Sequence, residues 1–289
     1  MFLLDDQILL HLLKEDVPYG DQTTRSLGFG KKRGRIIFRA RDPMLVCGSE
    51  EAARMFGLLG CEVDLTCASG EQREPGALIL AAAGPAEALF AAWKVAQTLT
   101  EWASGVASAA SRVVRAARAV SPGIVVACTR KTVPGTRALS LKAITAGGAA
   151  IHRSGLSDTV LLFPEHRAFG GEPDRLRSLQ WQIATVRDAC PERAVVVEVT
   201  APEDAMHAAE CGANVVQLEK FTPAAVAAVV AALGPASAAL VAAAGGITAG
   251  NAATYAGSGA SILVTSAPYS APPADISVVL EPDGGGASP

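Results

Sequence analysis

From residue 124 onward, short and continuously apolar runs alternate with alanine-rich helical segments, and this alternation restricts the fold more than any other feature of the sequence. The runs fall at 124–128 (IVVAC), 159–163 (TVLLF), 194–199 (AVVVEV), 215–218 (VVQL), 240–244 (LVAAA) and 262–264 (ILV). A strand that is apolar at nearly every position has no face to give to water, so it belongs in a sheet covered on both sides. Helical crossovers such as 203–211 and 223–233 connect such strands in parallel. The pattern predicts an α/β fold with a parallel sheet, either a barrel or a doubly wound sheet.

The first hundred residues read as a small α+β module. Leucines at helical spacing over 3–14, behind Asp5 and Asp6, predict an amphipathic helix. A turn-rich EDVPYGDQTT follows at 15–24. Strands are expected at GRIIFRA (34–40) and at the start of MLVCGSEEAARMFGLLG (44–60), whose remainder is helical, and further strands at CEVDLTC (61–67) and GALILAAAG (76–84). Residues 86–119 predict a long helical region, interrupted at the small pair Ser104-Gly105. The tail, 268–289, is rich in proline and glycine, and its tip is expected to be disordered.

Composition excludes several classes. With 50% hydrophobic residues and a net charge of −3, the chain is neither intrinsically disordered nor a general nucleic-acid coater. The six cysteines (Cys47, Cys61, Cys67, Cys128, Cys190, Cys211) show no paired spacing and stand in apolar contexts, which predicts buried thiols rather than disulfides or a zinc site. Acids occupy the N-terminus where a signal peptide would be basic, and Gly234-Pro235 breaks the alanine-rich stretch 224–244. The expectation is a cytoplasmic protein with no membrane partner.

Parallel α/β folds bind ligands at the carboxyl ends of their strands. Here those ends carry Thr129-Arg130-Lys131-Thr132, Pro164-Glu165-His166, Glu198, Glu219-Lys220, Gly245-Gly246-Ile247-Thr248 and Thr265-Ser266. Between Glu101 and Asp158 the sequence has no acid but contains Arg112, Arg115, Arg118, Arg130, Lys131, Arg137, Lys142 and Arg153, a distribution suited to an anionic ligand. The three arginines at intervals of three read as one solvated helix face. Arg130, Lys131, Arg137, Lys142, His152 and Arg153 fall in stretches punctuated by glycine and proline, where loops make sites. Glu198, inside VVVEVT, needs a cation, metal or hydroxyl partner if buried. Gly245-Gly246 is either a phosphate-binding turn or a simple tight turn.

EDVPYGDQTT (15–24), SGVAS (104–108), TRKTVPGTR (129–137), HRSGLSD (152–158), EV (198–199), QLEKF (217–221) and AAAGGI (242–247) form a combination that resembles the quinolinate phosphoribosyltransferase family, also called carboxylating nicotinate-nucleotide pyrophosphorylases. The resemblance covers about residues 1–275. In its departures the sequence is similar to the ModD branch, pyrophosphorylase-like proteins associated with molybdenum-transport operons. It implies an N-terminal α/β sandwich (1–105, joined by 268–289) and an open, incomplete α/β barrel of parallel strands (106–267). It further implies a transfer of phosphoribosyl from phosphoribosyl diphosphate to a nitrogen heterocycle, a Mg2+ cofactor, and a homodimer or dimer-based oligomer.

By the same resemblance, Arg130, Lys131, His152 and Arg153 match cations that bind substrate and diphosphate, and Lys142 matches a further basic position. Glu198 and Glu219 match two acids that hold the ribose hydroxyls and the metal, Glu219 standing for the usual aspartate. Lys131, Glu198 and Glu219 are the expected catalytic residues. Gly245, Gly246, Thr265 and Ser266 match phosphate-binding turns, and Lys94 stands where the family donates an arginine across the dimer. Two departures lie on the acceptor side: Phe163 replaces a lysine and Ala244 replaces a serine. A rival expectation is a non-catalytic binding or regulatory protein of this fold linked to molybdate uptake. Nucleic-acid binding is disfavoured by the acidity and by the lack of aromatics among the basic residues.

Overall fold

A computed structural model describes residues 4–169 and 175–283 and divides into two compact units. The first comprises Met1–Ser111, Val133–Gly148 and Pro268–Pro289; the second comprises Arg112–Thr132 and Ala149–Ala267.

In the first unit an antiparallel sheet has the order Ile276–Pro282, Arg33–Ala40, Leu78–Pro85, Glu62–Leu65. Alternation sets its faces: Ile36, Phe38 and Ala40 are buried while Arg33, Arg35 and Arg39 face outward. Helix Ser49–Leu58 brings Met55 and Phe56 onto the buried side, where Phe56 meets Phe38 edge-on at 5.9 Å between ring centroids. The first helix runs Asp6–Asp16 and is capped by Asp5, whose carboxylate accepts from the Ile8 N–H at 2.9 Å. The expected disordered tip lies outside the described residues.

One expectation is corrected in this unit. Helix Ala86–Arg118 runs without the interruption expected at Ser104-Gly105. Those small residues form a packing seam instead. Ser104 Oγ accepts from the Cys47 N–H at 2.9 Å, and a Cβ on Gly105 would stand 2.2 Å from the Pro272 carbonyl oxygen. The segment Val133–Gly148, placed by the sequence reading in the second domain, groups with the first unit. Helix Arg137–Ala146 carries Lys142 inward, 2% exposed, to hydrogen bonds with Glu50 Oε2 at 2.9 Å and Glu51 Oε2 at 2.5 Å. A Cβ on Gly147 would stand 2.6 Å from the Ala107 carbonyl oxygen, so the turn lies directly on the long helix.

The second unit is a seven-stranded, wholly parallel sheet. Its order is Ala150–Ile151, Val125–Cys128, Ile262–Thr265, Leu240–Ala244, Val215–Glu219, Val195–Val199, Val160–Leu162. This is chain order closed on itself, because the first strand, Val125–Cys128, pairs with the last, Ile262–Thr265. The ring lacks only the pairing between Ala150–Ile151 and Val160–Leu162, which makes it an open barrel rather than a doubly wound sheet. Ala150–Ile151 was not legible as a strand because two residues carry no periodicity. Cys47, Cys61, Cys67 and Cys128 are buried free thiols, and Cys190 and Cys211 are half-buried. Burial pushes the Cys47 and Cys128 thiols up to about 12. No helix among the described residues is long and apolar enough to cross a membrane.

Removing Lys142 leaves two carboxylates buried without their cation. Lys142→Met should lower stability by about 3–5 kcal/mol in urea denaturation. Burial raises the Glu50 carboxyl, but hydrogen bonds from Ser69 and Lys142 outweigh it and bring it down to about 2. A group depressed on folding stabilises above its unfolded value, so this contribution should be lost as pH falls below about 4.5 toward 2. A wild-type acid transition steeper than that of Lys142→Met is the expected result.

Candidate active site

Period-two alternation and the pairing register decide what faces the barrel interior. Gln217 stands opposite Glu198, Glu219 opposite Ala244, and Ala244 opposite Val264. Leu161, Glu198, Gln217, Glu219, Ala244 and Val264 therefore converge at the carboxyl ends of the strands, where they line a cleft of about 430 Å³. Arg130, Lys131, His152, Arg153, Phe163, Gly245, Gly246, Thr265 and Ser266 complete its walls, with Thr129, Lys220 and Thr248. A larger cavity of about 640 Å³ in the first unit is lined mainly by apolar helix residues, with Glu15, Asp16 and Lys94, and shares no residue with this cleft.

The basic wall is built from two loops. Lys131 is exposed, while Arg153 is 5% exposed and lies over the Phe163 ring, 5.4 Å from its centroid. Burial and the neighbouring Arg130 lower the Arg153 guanidinium below its ordinary value. The following loop is stapled by Asp158, which accepts from the Ser154 N–H at 2.9 Å and the Ser154 hydroxyl at 3.0 Å. Burial, then the charge of Arg153, pushes the His152 imidazole below its ordinary value. That direction disfavours the charged imidazole, against a hydrogen bond with Gln217 that favours it.

Opposite stand the carboxylates. Burial, then repulsion from Glu219, raises the Glu198 carboxyl, against an amide bond from Gln217 at 2.7 Å and the charge of Lys131. Arg167, half-buried, holds the Glu198 main chain by donating to its carbonyl at 3.3 Å. Lys220 adopts φ 60°, the sole non-glycine positive φ among the described residues, and its N–H donates to the Ala244 carbonyl at 2.8 Å. Gly245, at φ 89°, lies beneath it: a Cβ there would stand 2.7 Å from Lys220 Cγ and 2.9 Å from Glu219 Oε1. The pair Gly245-Gly246 is thus a close-approach turn as well as a left-handed one.

Two expected residues make contacts within the fold, and a third is exposed in the first unit. Thr265 is buried, and its hydroxyl donates to the Ile247 carbonyl at 2.6 Å, holding the glycine turn from below. Lys142 ends on Glu50 and Glu51, as described above, and is not among the cleft-lining residues. Lys94 is exposed in the first unit, with its ammonium 4.5 Å from the Trp93 ring centroid and 3.2 Å from Gln97 Oε1. Sequence reasoning missed Gln217 and Arg167. The polar residue inside VVQL was the one available signal, and nothing marked Arg167.

Residues 106–279 match the quinolinate phosphoribosyl transferase C-terminal domain and residues 21–104 its N-terminal domain. The chain belongs to that family. It is 60% identical over 235 residues, 81% of its length and 89% of the relative's, to the pyrophosphorylase ModD of Rhodobacter capsulatus, and falls in the ModD branch. It is also 31% identical over 214 residues to a carboxylating nicotinate-nucleotide pyrophosphorylase of Archaeoglobus fulgidus, covering 74% of this chain and 78% of that one. Its fold matches NadC from Streptococcus pyogenes with a TM-score of 0.86 at 24% identity, covering 96% of both chains. Membership of the quinolinate phosphoribosyl transferase family makes the chain a pentosyltransferase of the nicotinate-nucleotide pyrophosphorylase kind, which transfers phosphoribosyl and releases pyrophosphate.

The two glycines of the turn should respond differently to a methyl group. Gly245→Ala combines left-handed strain with a clash against Glu219 and Lys220, and should cost about 2–4 kcal/mol in urea unfolding. Gly246→Ala meets nothing within 4 Å and should cost about 1–2 kcal/mol, from conformation alone.

Proposed function

We propose that this cleft transfers phosphoribosyl to a planar nitrogen heterocycle that carries less negative charge than quinolinate. The supporting observation is the wall formed by Phe163. Its ring stacks on His166 at 5.6 Å and 17°, its N–H donates to His166 Nδ1 at 3.0 Å, and Arg153 covers it. An uncharged aromatic surface therefore occupies the position of a family lysine. Arg153 remains to pair with one acidic group, but a second carboxylate would lack its cation. Such a wall suits a flat acceptor ring.

The donor side keeps its machinery. Arg130, Lys131 and Arg153 would counter the diphosphate as the bond to ribose C1 breaks. Glu198 and Glu219 would hold the ribose hydroxyls and favour positive charge developing on the sugar. The residues also suit Mg2+. Two carboxylates side by side, with Glu198 held above its ordinary value by burial and by the charge of Glu219, fit a hard ion shared with substrate phosphates. Bound there by Glu198 and Glu219, magnesium would neutralise diphosphate charge. The same reading makes the enzyme a cytoplasmic homodimer in which Lys94 completes the partner's site. The two carboxylates speak against a molybdate-binding protein, because they repel an oxyanion.

Pyrophosphate release, measured with phosphoribosyl diphosphate, Mg2+ and a panel of heterocycles, tests the proposal. Wild type should prefer monocarboxylate or uncharged acceptors to quinolinate. Phe163→Lys should raise kcat/KM for quinolinate about ten- to a hundredfold, the worth of one charge-assisted hydrogen bond. Quinolinate as the preferred wild-type acceptor would overturn the acceptor assignment. Glu198→Gln should lower turnover by about two orders of magnitude or more with the fold intact. Near-normal turnover would remove Glu198 from the mechanism.

A further inference from the structure

We infer that Gln217 is a positioning residue, whose side-chain amide holds the Glu198 carboxylate from the neighbouring strand without neutralising it. The inference rests on the reading of Glu198 as a group that engages the donor ribose.

The geometry begins with register. Gln217 lies directly opposite Glu198 on one side and opposite Ala242 on the other. In a parallel pair, residues in register share a face, so both long side chains enter the barrel at one level. Ala242 offers the amide only a methyl group, leaving Glu198 as the polar neighbour across the sheet. Gln217 Nε2 accordingly donates to Glu198 Oε2 at 2.7 Å, and Gln217 is 4% exposed.

Two features distinguish this contact from ordinary core filling. Gln217 Oε1 is buried with no hydrogen bond of good geometry among the described residues, its polar neighbour being His152. A hydrophobic residue of similar volume would serve the core better, since a buried oxygen without a well-formed hydrogen bond weakens folding. The amide also does for Glu198 what a cation could not. Lys or Arg in this place would orient the carboxylate but cancel its charge. An amide cannot ionise, so the carboxylate is held in one rotamer and keeps its charge for the sugar. The Arg167 contact to the Glu198 carbonyl holds the same residue from its main chain, so both ends of Glu198 are tethered.

Calorimetric titration of phosphoribosyl diphosphate, in Mg2+, into wild type, Gln217→Met, Glu198→Ala and the double variant provides the test. Gln217→Met should weaken binding about tenfold with Glu198 present, and less than about twofold with Glu198→Ala. A merely structural loss would persist in the Glu198→Ala background. Equal effects of Gln217→Met in both backgrounds, or no effect in wild type, would overturn the inference. Failure of wild type to bind phosphoribosyl diphosphate would instead overturn the underlying reading, and the inference with it. Melting temperatures monitor folding, and if Gln217→Met does not fold, Gln217→Asn, whose amide is one methylene too short, takes its place in the cycle with the same expected outcome.

Discussion

The in-register parallel pairing of seven strands is the constraint on which everything else in the second unit depends. Side chains alternate with period two, so a slip of one residue in Val195–Val199 would turn Glu198 out of the barrel, and one in Val215–Glu219 would turn out Gln217 and Glu219. The register is held by what the sequence puts on the other face. Val195, Val197 and Val199 are fully buried, and Val216 and Leu218 likewise. The apolar residues that fix the strands and the polar residues that form the site are therefore the same alternation read from its two sides.

Electrostatics then divides the cleft. Cations arrive on two loops at one wall, and carboxylates arrive on adjacent strands at the other. One member of each set has its charge disfavoured: Arg153 is lowered by burial and by Arg130, and Glu198 is raised by burial and by Glu219. Such mutual repulsion is poor design for stability and useful design for a ligand that is anionic at its phosphates and becomes cationic at its sugar. Phe163 interrupts the basic wall at one position, beside Arg153.

Small residues set the distances. Gly245 lets the turn approach Glu219 and Lys220, and Gly105 lets the long helix meet the Pro272 backbone. In both places a methyl group would meet fixed atoms at under 3 Å, so the requirement is spatial and not merely conformational. The Ser104-Gly105 pair shows why composition misleads locally. Small residues weaken an isolated helix, but packing against a close neighbour more than offsets that propensity.

Much of the architecture was legible in the linear chain, for a physical reason. Continuous apolar strands separated by amphipathic or alanine-rich helices have few ways to bury themselves, and ligands then gather at the strand ends. That logic found Arg130, Lys131, Glu198, Glu219 and the glycine pair, and the motif resemblance added their expected roles. Tertiary structure alone decided which charges meet. Lys142 and Arg153 look alike in a run of bases without acids, yet Lys142 is drawn onto Glu50 and Glu51, some ninety residues earlier, while Arg153 turns over Phe163. Burial and Arg153 pushed the His152 imidazole below its ordinary value, and Gln217 acquired Glu198 as a neighbour through strand register. Periodicity is local and written in sequence; ion pairing, burial and cross-strand contact join residues far apart in the chain, and only the folded chain specifies them.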